Sequence, residues 1–338
     1  QVKAIADIRP YNLHRAFYGD WSSTNTKAVR PGLCDVYGYP SREAAEKEIK
    51  VYNAENGGYQ ELLKNDEIEA VIIALPLHLH AQVAIDAMMA GKHVLTEKLM
   101  AHNVAQCKIM GRVAADTNLH LATGHQRHYS VLYDNAVHMI RWGLLGELHH
   151  IRAQWHRGNL PGGDSWSQPL PGGETVTING EQVVLDPIAD KLKEFEAKLK
   201  AEKNPAIREL RAGRVEQWRA WNEDQTIDPS KFGYAAGAGG RPASPMEELC
   251  RWRLWERTGG GLMAELGSHQ LDAAGIFISA LRADGKKAQP LTVHATGGRH
   301  IFPHDRDAGD HVYCMFEFPG PGYEPGMDVG YFDKAMQY

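Results

Sequence analysis

Along the first third of the chain, apolar runs of strand length alternate with stretches of helical spacing. VKAIADI is compact and apolar, carries Asp7 near its end, and predicts a buried strand. Pro10 opens a predicted helix over YNLHRAF. A helical stretch, YQELLKND, leads into EAVIIALP, a β-branched run stopped by Pro76 that predicts a central parallel strand. LHLHAQVAIDAMMAGK has helical apolar spacing and stops at Gly91, a natural C-cap. HVLTEK predicts the next strand, NVAQCKIMGRVAADTN the next helix, and LHLATGHQRHY the strand after that. Alternation at this rhythm implies right-handed βαβ units, with a parallel sheet covered on both faces.

After about Ser130 the pattern changes. A helix over VLYDNAVHMIRWGLLG precedes ELHHIRAQWHRG, whose alternation predicts a longer, half-exposed strand. A Gly/Pro/Ser-rich passage covers 158–173. ETVTINGEQVVL then places two strand-like arms around Asn179-Gly180, a strong hairpin signal. The segment from Asp190 to Trp221 is charged and helical, interrupted at Pro205. Its charge run reads as a solvated helix face, and its tryptophans offer docking on a neighbour. Together these form a predicted insertion at about 158–250. GGGLMAELGSHQLDAAGIFISAL predicts a buried helix entered from a glycine run at 259–261. LTVHATGGRH and HVYCMFEF predict late strands of one antiparallel or mixed sheet. GYFDKAMQY ends the sequence without an evident closing element.

Composition narrows the classes without choosing one. The 338 residues, 43% hydrophobic and 23% charged, are ordinary for a soluble chain and favour two domains. A net charge of -5 with interspersed signs gives no reason to expect nucleic acid or an anionic membrane as partner. Cys34, Cys107, Cys250 and Cys314 lie far apart with no CxxC pair, so neither a disulfide framework nor a thiolate zinc site is indicated. No apolar run approaches the ~18 residues of a membrane span. The 17 histidines show no metal-motif spacing, and no metal site is expected. A cytoplasmic setting is the default from cysteine usage. The start at QVKAIADIRP, without Met, points to missing upstream residues and leaves a periplasmic setting open.

Three groups of residues invite chemistry. Asp7 closes an early parallel strand, where a dinucleotide fold hydrogen-bonds the adenosine ribose, although a strand-ending Asp also serves as a turn-former. Ligands of open parallel sheets bind beyond the carboxyl ends of strands. ALPLHLHA and TEKLMA both fall there, on successive strands. Pro76 turns the chain so that the following loop can line the cleft. Lys98 offers a cation for a developing alkoxide, and Glu97 an acceptor for a ribose hydroxyl. A solvated strand end is the bland alternative. In ELGSHQLD, Glu265 and His269 share a helix face at a spacing of four, and Asp272 is three beyond His269. An imidazole held by a carboxylate is a good general base near neutral pH. A structural helix histidine satisfied by its neighbour is the other reading.

Taken together, AIADIRP, VIIALPLHLHAQVAIDAMMAGKHVLTEKLMA, GHQRHY, GELHHIRAQW and GGGLMAELGSHQLDAAG resemble the glucose-fructose oxidoreductase/inositol dehydrogenase/MocA (Gfo/Idh/MocA) family. The likeness runs from residue 1 to about 318 outside the insertion and is strongest at 69–101. It implies an α/β fold: a Rossmann-like, doubly wound parallel sheet over 1–126, lacking its first strand and glycine loop. A substrate and oligomerisation domain over 127–338, with an open and mainly antiparallel sheet, would follow. It further implies hydride transfer between NAD and a sugar-like or polyol substrate, and a homo-oligomer. By this resemblance Lys98 and His269 are catalytic and Glu265 assists them. Asp7, Arg9, Leu75, Pro76, His80, Glu97 and Lys98 would line the cofactor site. Asp7 favours NAD, and Arg9 keeps NADP open.

The sequence departs from the family pattern at three of these places. Leu99 follows Lys98 where the family has proline, Leu75 stands where a small or hydroxylated residue is usual, and Glu265 replaces aspartate. Two alternatives accompany the main reading. One is a glycosidase that uses NAD for transient oxidation and elimination, to which the aromatic insertion (WSQPLP, EQWRAWNED) is suited. The other is a non-catalytic or truncated binding remnant.

Overall fold

β1 (Ala4–Ala6) runs parallel to β2 (Lys50–Tyr52), with Ile5 opposite Val51. The structure is a computed structural model and describes residues 1–160, 162–238, 241–282 and 284–320. Two compact units divide the chain: 1–71, 86–93 and 167–251 form the first, and 72–85, 94–166 and 252 onward the second.

In the first unit, Pro10 stands at the N-terminal turn of the helix Pro10–Tyr18, where its missing N–H costs nothing. That helix buries Leu13 and Phe17. Phe17, at 0% exposure, joins Cys34, Ala45 and Ile49 in a core that Ile5 and Val51 cover from the strands. Burying one such ring stabilises by roughly 1.5–3 kcal/mol. Asn179 (φ 51°) and Gly180 (φ 86°) take the left-handed conformations that a tight hairpin needs between β6 (Glu174–Ile178) and β7 (Glu181–Leu185). The charged segment forms the helices Pro187–Ala201 and Pro205–Glu223, divided where the Asn204 side chain caps Ala206 and Ile207 N–H groups. The second of these packs on the helix Pro10–Tyr18. Gly213 is required there, since a Cβ would come within 2.2 Å of the Trp21 ring.

A parallel sheet in the order β3 (Ala70–Ile73), β4 (His93–Thr96), β5 (Leu121–Thr123) carries the predicted βα alternation. Its helices are His80–Met89 and Val104–Thr117. The latter starts at Asn103, whose side chain accepts from Gln106 N, and ends at Asn118 in the left-handed region. In the second unit, Trp166, Leu254, Trp255 and Leu266 form one core cluster, and Ile278, Ala288 and Phe318 another. β8 (Thr292–Gly298) and β9 (His311–Glu317) pair antiparallel, as the late-strand pattern implied.

One expected element is absent. ELHHIRAQWHRG forms no strand: among the described residues no neighbouring strand supplies a ladder, and Leu148 and Ile151 instead reach the Ile278 cluster. Those two residues are three apart, a spacing that a strand would send to opposite faces. GYFDKAMQY lies outside the described residues. No described helix is long and apolar enough to cross a membrane.

Candidate active site

The second unit assembles a compact polar cluster from four places in the sequence. β4 alternates its burial, with Val94 and Thr96 inside, and Glu97 N still donates to Ile73 O at 2.8 Å. The chain then turns and directs Lys98 inward, its side chain 13% exposed. Lys98 Nζ donates to the backbone oxygen of Glu265 at 2.5 Å and lies 3.3 Å from Glu265 Oε2. Glu97 stays exposed, and Oε2 accepts from Lys98 N at 3.2 Å. It lies over Gly124, where a Cβ would sit 3.2 Å from Oε1.

His80 fixes the loops that leave β3 and β4. It is 1% exposed, with Nδ1 2.6 Å from Leu99 O and Nε2 2.8 Å from Leu75 O. One ring therefore ties the turn after Pro76 to the turn after Lys98. Leu99, which stands where the family has proline, has its carbonyl held by this contact. Both His80 nitrogens face backbone oxygens, so the ring acts on the site through Leu75 and Leu99.

His269 comes from the helix that follows the glycine run. The glycine run permits positive φ at Gly260 (71°) and Gly261 (76°), and Gly260 packs tightly against Leu77. A π-helical turn, Met263–Gly267, then leads into the helix Ser268–Ser279. Such turns shift the side-chain register by one residue. Glu265 consequently serves Lys98 and Arg253, whose Nε donates to Oε1 at 2.8 Å. Burial alone would raise the Glu265 carboxyl, but Arg253 and Lys98 outweigh it and hold it below the usual carboxylate range. His269 stacks on Trp155, ring centroids 5.4 Å apart. Desolvation, then the nearby Lys98, Arg127 and His125, push its pKa below that of an ordinary imidazole, against the pull of Glu265.

Asp272 goes elsewhere than its spacing suggested. It accepts from His128 Nε2 at 2.8 Å and Lys287 Nζ at 3.0 Å. Arg127, Trp155 and Arg253 were not singled out from the sequence. Arg127 lies within GHQRHY, a motif whose position was legible but whose individual roles were not. It donates from Nε to Tyr133 Oη at 2.8 Å, and its Nη1 is buried with no hydrogen-bond partner among the described residues.

Asp7 and Arg9 belong to the first unit. Asp7 is the residue after β1, with its N–H on Tyr52 O at 3.1 Å. One carboxylate oxygen accepts from Arg9 N at 2.8 Å and the other from Asn12 Nδ2 at 3.0 Å. Burial pushes its pKa above the usual carboxylate value, against these hydrogen bonds. A carboxylate has about four acceptor sites, so two remain, the number that a vicinal diol requires. Those two sites would suffice for the hydroxyls of a dinucleotide ribose. Arg9 is engaged by Asp224, with Nε 2.8 Å from Oδ2. Trp221, one turn before Asp224, stacks on Tyr11 at 4.9 Å.

Parallel βα units with polar residues just beyond the strand ends are the arrangement in which open α/β sheets bind ligands. Residues 14–125 match the family described as "Oxidoreductase family, NAD-binding Rossmann fold" (GFO_IDH_MocA). That segment is similar to the Gfo/Idh/MocA oxidoreductases, a family described as NAD-binding. The alpha-N-acetylgalactosaminidase of Shewanella oneidensis is 32% identical over 130 residues, 36% of this chain and 28% of that protein. The matched stretch thus spans under a third of that curated relative. Among solved structures, scyllo-inositol dehydrogenase from Lactobacillus casei is 26% identical over 31% of each chain, with a TM-score of 0.27. Aldose-aldose oxidoreductase from Caulobacter crescentus, complexed with glycerol, is 17% identical, covering 88% of this chain and 57% of that one, with a TM-score of 0.44.

Proposed function

We propose that this chain transfers hydrogen between NAD and a hydroxyl of a sugar-like or polyol substrate, with Lys98 and His269 acting on the oxygen. The observation that carries this reading is the second-unit cluster. An ammonium oriented by Glu265 lies near an imidazole whose pKa is lowered by burial and then by the cations around it. A neutral imidazole accepts a proton, and a fixed cation favours the oxygen that loses one. In the oxidative direction His269 takes the hydroxyl proton and Lys98 stabilises the oxygen as it becomes negative. Nicotinamide, when bound, supplies the acceptor for the carbinol hydrogen, which leaves with its electron pair to give the carbonyl product. Glu265 sets the direction of Lys98. Trp155, 39% exposed and stacked on His269, offers an apolar face for a sugar ring.

For the cofactor, Asp7 would take the adenosine ribose hydroxyls. Within the second unit, Leu75, Pro76, Glu97 and Lys98 would contact a nicotinamide ring, with His80 holding their loops. Replacing Lys98 by Met, or His269 by Ala, should depress turnover by ~10² or more with a sugar or polyol panel, followed by nicotinamide absorbance. Near-normal turnover in both variants removes the assignment.

A second reading is favoured by the named glycosidase relative and by the exposed Trp155. In it bound NAD would take a hydride from a glycoside hydroxyl carbon, the aglycone would leave by elimination, water would add in its place and the hydride would return, while the same residues move the protons. Release of free sugar from an aryl glycoside without net change in nicotinamide absorbance selects this reading over the first.

A further inference from the structure

We propose that Asp224 closes the ribose corner of the first unit to 2′-phosphorylated dinucleotides and so makes the chain select NAD over NADP. The inference rests on the placement of the adenosine ribose at Asp7 and goes beyond it, since Asp7 alone leaves the role of Arg9 undecided. Arg9, two residues on, is the cation that a 2′-phosphate would seek, because a guanidinium fork matches phosphate oxygens.

That cation is already engaged. Its Nε donates to Asp224 Oδ2 at 2.8 Å, and the Asp224 side chain is fully buried while that of Arg9 is 16% exposed. Asp224 cannot swing away without loss, because Oδ1 accepts from Tyr11 N at 3.0 Å. The Tyr11 ring in turn stacks on Trp221, at 4.9 Å, and carries the Arg9 and Arg15 guanidinium groups at 5.7 and 5.4 Å. The next guanidinium, Arg15, pairs with Asp20 at 2.8 Å.

Charge then decides. Asp7 and Asp224 set two carboxylates against one Arg9. A phosphate reaching the terminal nitrogens of Arg9 would share that single positive charge with the buried Asp224 carboxylate, and would meet Asp7 as well. A ribose hydroxyl needs only the acceptors that Asp7 keeps free. Asp224 comes from a segment more than two hundred residues away, so local sequence around Asp7 does not disclose it.

Calorimetric titration of the full chain with NADH and with NADPH tests this, alone and as the Asp224→Asn and Asp224→Glu variants, each checked for an intact melting transition. The unaltered chain should bind NADH about tenfold or more tightly than NADPH, the effect of about one uncompensated charge. Asp224→Asn should narrow that ratio by about tenfold through tighter NADPH binding, and Asp224→Glu should keep it. An unaltered chain that binds both within twofold overturns the inference even where Asp224→Asn fails to fold. An unchanged ratio in folded Asp224→Asn overturns it too. Binding of neither dinucleotide overturns the ribose placement at Asp7, and the inference with it.

Discussion

Lys98 Nζ lies 2.5 Å from the backbone oxygen of Glu265 and 3.3 Å from its carboxylate, across 167 residues of sequence. The backbone contact fixes where the ammonium sits, and the carboxylate divides its charge between Lys98 and Arg253. Glu265→Gln keeps the shape and removes the charge. Turnover should then fall by about tenfold, within the range for a charged partner of a catalytic group. Because Glu265 is the group that raises the His269 pKa, the acid limb of kcat/KM should also move to lower pH. A limb that moves upward contradicts the placement of these charges.

Lys98→Met makes the opposite prediction for the same limb. A base works only when deprotonated, so activity is lost as pH falls through the His269 pKa. After desolvation, Lys98 is the leading cause that lowers that pKa. Its removal should raise the pKa and carry the acid limb to higher pH, on top of the loss in kcat. Residual activity of Lys98→Met with an unmoved limb would mean that His269 is not the titrating base.

His80 should be worth more to stability than its sequence context suggests. It is buried, and removing the ring strips two backbone oxygens of their nearest polar partner and leaves a cavity. His80→Ala is expected to cost about 2–5 kcal/mol in unfolding free energy. Urea denaturation checks this, and His80→Gln should recover part of the loss. A cost under ~0.5 kcal/mol, the level of an ordinary surface change, would remove the ring from its bridging role.

The fold was more legible than the site because periodicity is a local signal. The apolar runs around Ile5, Ile73, Val94 and Ala122 became parallel strands, and Asn179-Gly180 became the hairpin turn. ELHHIRAQWHRG failed because alternation prepares a strand but does not supply the neighbour it must bond. In the site, Lys98 stood out as a charge ending an apolar strand, and His269 by its spacing from Glu265 and Asp272. The i,i+4 spacing of Glu265 and His269 did not disclose that the carboxylate also bonds Lys98 and Arg253, which come from elsewhere in the chain. Arg127, Arg253 and Asp224 owe their places to long-range packing, and no pattern around them announced it.

His14 gives a pH test of the first unit that is independent of any activity. Burial depresses its pKa from 6.5 to about 4, with Arg42 and Lys27 adding to the effect and Glu216 opposing it. Its Nε2 is buried without a partner among the described residues, and its ring leans on Tyr18 at 4.9 Å. The folded-state pKa is therefore below the unfolded one. Above pH 6.5 both states hold a neutral ring, and the group adds no pH dependence. As pH falls below 6.5 the unfolded chain takes up the proton first, so stability declines until about pH 4, where the folded ring is protonated too. Replacing His14 by Phe removes this proton uptake while keeping an aromatic ring against Tyr18. The stability difference between the unaltered chain and His14→Phe, from urea melts at pH 7.5 and pH 5, should shift toward the variant at the lower pH. A difference that stays constant between the two pH values would show that His14 titrates as it does in the unfolded chain.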